Sequence, residues 1–221
     1  MTSRTRWVVI AAVGAVIVYA AMWIGYVQNW AWLDTVDTVS LRVFYDFGIS
    51  RPRWVFSWQL FCTVFGPTGF RVIALVWIVI AVLRGSMRTA LFLAVSVGLM
   101  GFVTETAKTI AGRPRPVTAM TEATSSSFPS GHALGVMVGV LAILTIVWPV
   151  AGRLRLPLAL IGVALIVLVG VGRVVLNVHH PSDVVAGWAL GFLFYLLCVR
   201  LVPPRPLTAA GGTPAALDTV R

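Results

Sequence analysis

Charge is what this 221-residue chain has least of: charged residues make up 11%, with seven acids against 17 bases. A soluble domain carries about a quarter of its residues charged, so a water-soluble globule of this length would be unable to cover itself. The 59% hydrophobic content excludes disorder, which needs low hydrophobicity and high net charge. Cysteine is scarce as well, and Cys62 and Cys198 show neither metal-ligand spacing nor a redox pair. Lysine is almost missing: Lys108 stands alone beside 16 arginines, a bias that points to a GC-rich, bacterial genome. A formal charge of +10 in a soluble protein would suggest nucleic acid. Here the bases cap apolar runs instead of forming a stripe, so no nucleic-acid partner is expected.

Long apolar runs are what the chain does have. A bilayer core needs about 20 helical residues to cross it. Six segments meet or approach that length: 7–27, 66–83, 89–107, 132–148, 156–172 and 184–202. The expected fold is therefore all-α, a polytopic membrane helical bundle of six transmembrane helices forming one domain over 1–202. The first run exceeds the roughly 7–15-residue core of a signal peptide and is read as a retained helix. The linker 28–65 is rich in Trp and Phe. Val55, Trp58, Cys62 and Phe65 share one helical face there, which fits an interfacial helix on the outer leaflet, with a packed loop as the alternative. The Pro-, Ala- and Gly-rich stretch 203–221 is expected to be a disordered cytoplasmic tail.

With the N-terminus inside, cytoplasmic segments hold nine bases and the opposite side eight. Four of those eight, Lys108, Arg113, Arg115 and Arg173, lie in polar clusters inside the bundle pattern. The remaining nine against four favours both termini in the cytoplasm of a plasma-membrane protein. This topology separates Cys62 from Cys198 by the membrane, too far for a disulfide.

Three segments break the apolar pattern. Lys108 closes the third span and Arg113-Pro114-Arg115-Pro116 follows it. Ser127-Phe128-Pro129-Ser130-Gly131-His132 opens the fourth. Arg173 closes the fifth, and His179, His180, Pro181, Ser182 and Asp183 open the sixth. Counting spans brings all three to one membrane face, along with every histidine of the chain. Ionisable groups at membrane depth are functional candidates. Guanidinium and ammonium groups suit phosphoryl oxygens. Ser130 and Gly131 at a helix start add backbone N–H groups and a favourable dipole. Acids are too few to hold Mg²⁺, so no metal and no cofactor are expected. His179 and Asp183, four apart, suit a nucleophilic imidazole oriented by a carboxylate, and His132, in a separate segment, suits a general acid whose protonation follows substrate occupancy.

In order and spacing these segments resemble the type 2 phosphatidic acid phosphatases, the lipid phosphate phosphatases of the superfamily that includes vanadium haloperoxidases. Lys108, six residues, Arg115-Pro116; then Pro129-Ser130-Gly131-His132; then Arg173, five residues, His179, three residues, Asp183 match that family's three motifs, and the resemblance covers about 65–191. It implies that His179 attacks phosphorus and becomes phosphohistidine, that Asp183 orients it, and that His132 protonates the leaving lipid oxygen and then activates water. It implies that Lys108, Arg115, Ser130, Gly131 and Arg173 bind the phosphoryl oxygens of a lipid phosphate or diphosphate at the extracytoplasmic face, without a metal. One departure stands out: Gly172 precedes Arg173, where the family usually has Ser. Arg113 is expected to face lipid headgroups, His180 to be structural, Glu105 to neutralise or solvate Lys108, and Glu122 to be solvent-exposed. The competing class, an anion- or lipid-binding transporter-like protein without hydrolytic activity, is disfavoured because few polar groups line the spans after His132. Substrate selectivity is expected in the loops 28–65 and 117–128.

Overall fold

In a computed structural model that describes residues 3–205, the described residues form eight α-helices and one short 3-10 turn, with no strand among them. The helices are α1 (Ser3–Val27), α2 (Ala31–Gly48), α3 (Pro52–Val64), α4 (Pro67–Leu83), α5 (Met87–Ala111), α6 (Gly131–Val147), α7 (Arg155–Val175) and α8 (Pro181–Leu201). Five stretches are long and apolar enough to cross a membrane: Thr5–Val27, Pro52–Leu83, Met87–Ala111, Gly152–Val175 and Pro181–Leu201. At 17 residues, α6 is shorter but equally apolar. The chain is a multi-pass membrane protein of all-α architecture. Each apolar run of the sequence is a helix, and the ends shift by at most four residues: α1 begins at Ser3 instead of 7, and α5 continues to Ala111, past the expected end at 107.

Local chemistry sets the helix ends that matter for function. Pro67 and Pro181 open α4 and α8, where a missing N–H costs nothing. At the end of α5, Gly112 takes a left-handed conformation (φ 59°), so the chain turns sharply into the loop that carries Arg113 and Arg115.

The shorter helix, α6, lies at the centre, packed on α4, α5, α7 and α8. Its contact with α8 is close because glycine lines it. A Cβ at Gly187 would lie 2.5 Å from the Ser130 carbonyl oxygen, and one at Gly191 2.7 Å from that of Leu134. Small residues let membrane helices approach this way. The approach puts the start of α6 beside the start of α8, where the Ser130 N–H donates to the Asp183 carbonyl (2.9 Å).

The linker 28–65 holds two helices: α3 carries the expected helical face of Val55, Trp58 and Cys62, and α2 precedes it. The face bearing Trp58 and Cys62 packs on α7, and the Cys62 thiol reaches the Val169 carbonyl (3.8 Å). Both cysteines are free and buried, in separate core clusters. Of the expected tail, 203–205 turns back onto α5, with the Thr89 hydroxyl donating to the Arg205 carbonyl (2.7 Å). The disorder expected for the rest concerns 206–221, which lies outside the described residues.

Candidate active site

The loop after α5 is stitched to two of its neighbours. Lys108, buried in the last turn of α5, donates to the Ser125 hydroxyl (2.6 Å), while the Ser126 hydroxyl donates to the Lys108 carbonyl (2.8 Å). Arg115 donates through Nε to the Ser125 carbonyl (2.7 Å) and through Nη1 to the Val178 carbonyl (2.7 Å). That second bond holds the turn between α7 and α8. The same Nη1 lies 3.3 Å from His179 Nε2. Guanidinium can only donate, so Nε2 is the acceptor and the imidazole proton sits on Nδ1.

His179 precedes α8 by two residues, so the turn, not a helical spacing, aims it at Asp183. Its Nδ1 stands 3.6 Å from Asp183 Oδ2, just outside hydrogen-bonding distance, and has no other partner among the described residues. Catalytic contacts of this kind commonly tighten when substrate binds. Burial pushes the His179 imidazole down to about 4; Asp183 opposes that shift, and Arg173 and Arg115 add to it. His179 is therefore neutral at physiological pH, with the Nε2 lone pair available.

Asp183 is fully buried and its carboxylate is crowded with donors. Oδ2 accepts from the Ser127 hydroxyl (2.8 Å) and the His180 backbone N–H (2.8 Å), with His180 Nδ1 at 3.1 Å. His180 thus caps α8 and has a structural place beside the carboxylate. Oδ1 accepts from Arg113 Nη1 (2.7 Å).

Arg113 corrects the sequence reading. It does not face lipid headgroups but is buried, bridging Asp183 to Asp37 of α2 (Nη2 to Oδ2, 2.9 Å), donating to the Ser182 hydroxyl (2.7 Å) and lying over the Tyr26 ring. Asp37 in turn accepts from the Ser182 N–H (3.0 Å) and hydroxyl (2.5 Å). Desolvation explains the difference: two buried carboxylates need a cation between them. Asp37 itself escaped the sequence reading. Its signal was its register, since Leu33, Asp37 and Leu41 recur every four residues on the buried face of α2.

On the other side of His179 lies a cavity of about 520 Å³, walled by α4, α5 and the 122–125 loop. Lys108, Arg115, Gly131, His132, Arg173 and His179 all line it. Ser130 lies just behind as the α6 cap, accepting from the Ala133 N–H (3.5 Å), and Asp183 lies behind His179. Glu105 approaches Lys108 (3.7 Å) with an exposed side chain, and the exposed Glu122 stands at the rim. Buried Arg173 keeps its Nε donor without a hydrogen-bond partner among the described residues. The cavity thus gathers the cationic side chains of Lys108, Arg115 and Arg173, the last with an unspent donor, around the imidazoles of His132 and His179, suited to an oxyanion.

Gly172 also finds its reason here. A Cβ at 172 would lie 2.6 Å from Cys62 Sγ and 2.8 Å from Trp58 Cε3. The space of the family's usual Ser is filled from α3. Gly172→Ser is expected to destabilise the protein by about 1–3 kcal/mol through overpacking, with Cys62→Ala recovering part of the loss. Thermal unfolding in detergent reads this, and a Gly172→Ser protein as stable as the parent would contradict it.

Two known proteins are similar to this chain. A relative from Sulfolobus acidocaldarius, an undecaprenyl-diphosphatase, is 37% identical over 86 residues, which is 38% of this chain and 37% of that protein. The match therefore spans little over a third of the relative's length. The crystal structure of a transmembrane PAP2 type phosphatidylglycerolphosphate phosphatase from Bacillus subtilis superposes with a TM-score of 0.69, covering 88% of this chain and 94% of that one at 23% identity, a likeness of fold. The PAP2 superfamily model matches residues 89–206, a stretch that holds every residue of the three motifs. The chain belongs to the PAP2 superfamily.

Proposed function

We propose that this protein is a membrane-embedded, metal-independent lipid phosphate phosphatase that works through a phosphohistidine at His179. The observation that carries the reading is the single cavity lined by Lys108, Arg115, Gly131, His132, Arg173 and His179. The activities by which the relatives are named, on undecaprenyl diphosphate and phosphatidylglycerol phosphate, are the substrate classes from which to begin.

Chemistry follows from the placement of each group. The phosphoryl oxygens sit among Lys108, Arg115, Arg173 and the Gly131 end of α6, whose donors replace water and spread the charge. His179 Nε2 attacks phosphorus; an N–P bond forms as the bond from phosphorus to the lipid oxygen breaks. The electron pair goes to that oxygen, which takes a proton from His132. Asp183, held by Arg113, Ser127 and His180, stabilises the positive charge growing on His179. Water then attacks the phosphohistidine, giving its proton to His132, and the P–N bond breaks to release phosphate. The buried carboxylates Asp37 and Asp183 are already spent on Arg113, Ser182 and neighbouring donors, and Glu105 at the cavity turns to Lys108, which favours cationic side chains over a metal as the source of charge.

The site opens where α5 ends and α6 begins. Tyr26, at the end of α1, lies under Arg113 at that same end, so α1 starts at the far end of the bundle. Together with the arginine distribution this supports an extracytoplasmic site, cytoplasmic termini and a bacterial plasma membrane.

Phosphate release from a panel of lipid phosphates in detergent with EDTA present tests the proposal. The purified protein is expected to hydrolyse at least one of them and to be inhibited by vanadate. No release from any lipid, with no vanadate binding, would contradict it.

A further inference from the structure

The three motifs do not use all the polar capacity of the catalytic cavity. Arg71, in the second turn of α4, lines it. The residue lies inside the apolar stretch Pro52–Leu83, and its guanidinium has no ion pair or hydrogen bond among the described residues. A cation at such a depth is costly unless something meets it. Gln59 of α3 lines the same cavity, and its amide oxygen is buried without a partner among the described residues.

Contacts between helices fix the level of the Arg71 guanidinium. At Gly131, the phosphate-facing end of α6, a Cβ would meet the Thr104 side chain at 2.8 Å. One turn further along α6, a Cβ at Gly135 would meet Pro67 at 2.7 Å and Met100 at 3.4 Å. The neighbour of Met100, Gly101, faces Arg71: a Cβ there would lie 3.0 Å from Arg71 Nη2. The guanidinium therefore sits about one helical turn, ~6 Å along the axis, from the transferred-phosphoryl position toward the membrane core. That is the direction in which the lipid part of a substrate must extend. Glu105, the acid closest to this wall in sequence, turns to Lys108.

We propose that Arg71 is a specificity determinant that binds a second phosphoryl group, carried on the leaving-group side of the substrate, with Gln59 taking a hydroxyl or protonated oxygen beside it. This deepens the proposed function and rests on it. The phosphoryl transferred to His179 occupies the motif residues, and the group that departs is itself a phosphate ester whose charge Arg71 neutralises. Two chemistries place a second phosphoryl there: the anhydride of a polyprenyl diphosphate, and the glycerol bridge of phosphatidylglycerol phosphate. Phosphatidic acid and a polyprenyl monophosphate leave Arg71 unmatched.

Steady-state kinetics of the full-length protein and of Arg71→Gln and Arg71→Lys on matched pairs tests this. The pairs are a polyprenyl diphosphate against the monophosphate of the same chain, and phosphatidylglycerol phosphate against phosphatidic acid. Arg71→Gln is expected to lower kcat/KM by about ten- to a hundredfold, the loss of one charge-assisted hydrogen bond, for at least one two-phosphate lipid, with the single-phosphate partner changed less than about threefold. Arg71→Lys should retain part of the preference. Retained single-phosphate activity shows that the variant is folded, and the pair that responds identifies the bridge. Equal losses within both pairs, or no loss in either, would overturn the Arg71 assignment and leave the phosphatase reading standing. A parent protein inactive on all four lipids would overturn both.

Discussion

His179→Ala is expected to abolish turnover on every lipid phosphate, by about 10⁴-fold or more, the scale seen when a covalent nucleophile is removed. The size follows from geometry. His132 is the one other histidine that lines the cavity, and it reaches it from the first turn of α6. No side chain takes over when Nε2 is gone. His180, next in sequence, is committed to the Asp183 carboxylate. The pH profile carries the same information. Since burial holds the His179 imidazole down to about 4, its neutral, nucleophilic form persists until pH falls through that value. The acid limb of kcat/KM, which reports the free enzyme, should therefore lie near 4 rather than at the ordinary histidine value of about 6.5. A His179→Ala protein with a tenth of parent activity, or an acid limb near 6.5, would rule out this assignment.

Arg113→Ala is expected to cost about 3–5 kcal/mol of stability, because it leaves Asp37 and Asp183 buried without the cation between them. Activity should fall further than the folded fraction does, since Asp183 loses one of the bonds that aim it at His179. Asp37→Asn keeps acceptor capacity for Ser182 and removes only one charge, so its loss should be smaller. Thermal unfolding beside phosphate release separates the two effects. The coupling between Arg113→Ala and Asp37→Asn, measured as a double-mutant cycle, should be well above 0.5 kcal/mol, as for residues in one network. An Arg113→Ala protein with parent stability and turnover would show that the bridge holds nothing.

The contrast between Arg115 and Arg113 shows what the sequence could carry. Arg115 was legible because its spacing from Lys108 matches a motif. Arg113, two residues earlier, reads from sequence as facing lipid headgroups, because its partners lie 76 and 70 residues away in α2 and α8. Spacing along a chain reports contacts within an element or across a short turn; it does not report which distant carboxylates a loop folds over. The apolar helices were legible for the opposite reason: hydropathy over about 20 residues is a local property. The linker 28–65 lay between these cases. Its helical face was visible at Val55, Trp58 and Cys62, yet its partner α7 was not, so the reason for Gly172 emerged only when Trp58 and Cys62 were seen to fill the space beside it. The register of Asp37 with Leu33 and Leu41 was visible in the sequence but silent without Arg113.

The most direct measurement of the central claim is to trap the covalent intermediate. Protein quenched with denaturant during turnover of a lipid phosphate, digested and analysed by mass spectrometry under alkaline conditions, should carry a phosphoryl group on His179 that acid removes. The yield should rise in His132→Ala supplied with a substrate whose leaving group needs no proton, because hydrolysis of the intermediate then lacks its base. A phosphoryl group on any other residue, or none in a protein that turns over, would contradict the account.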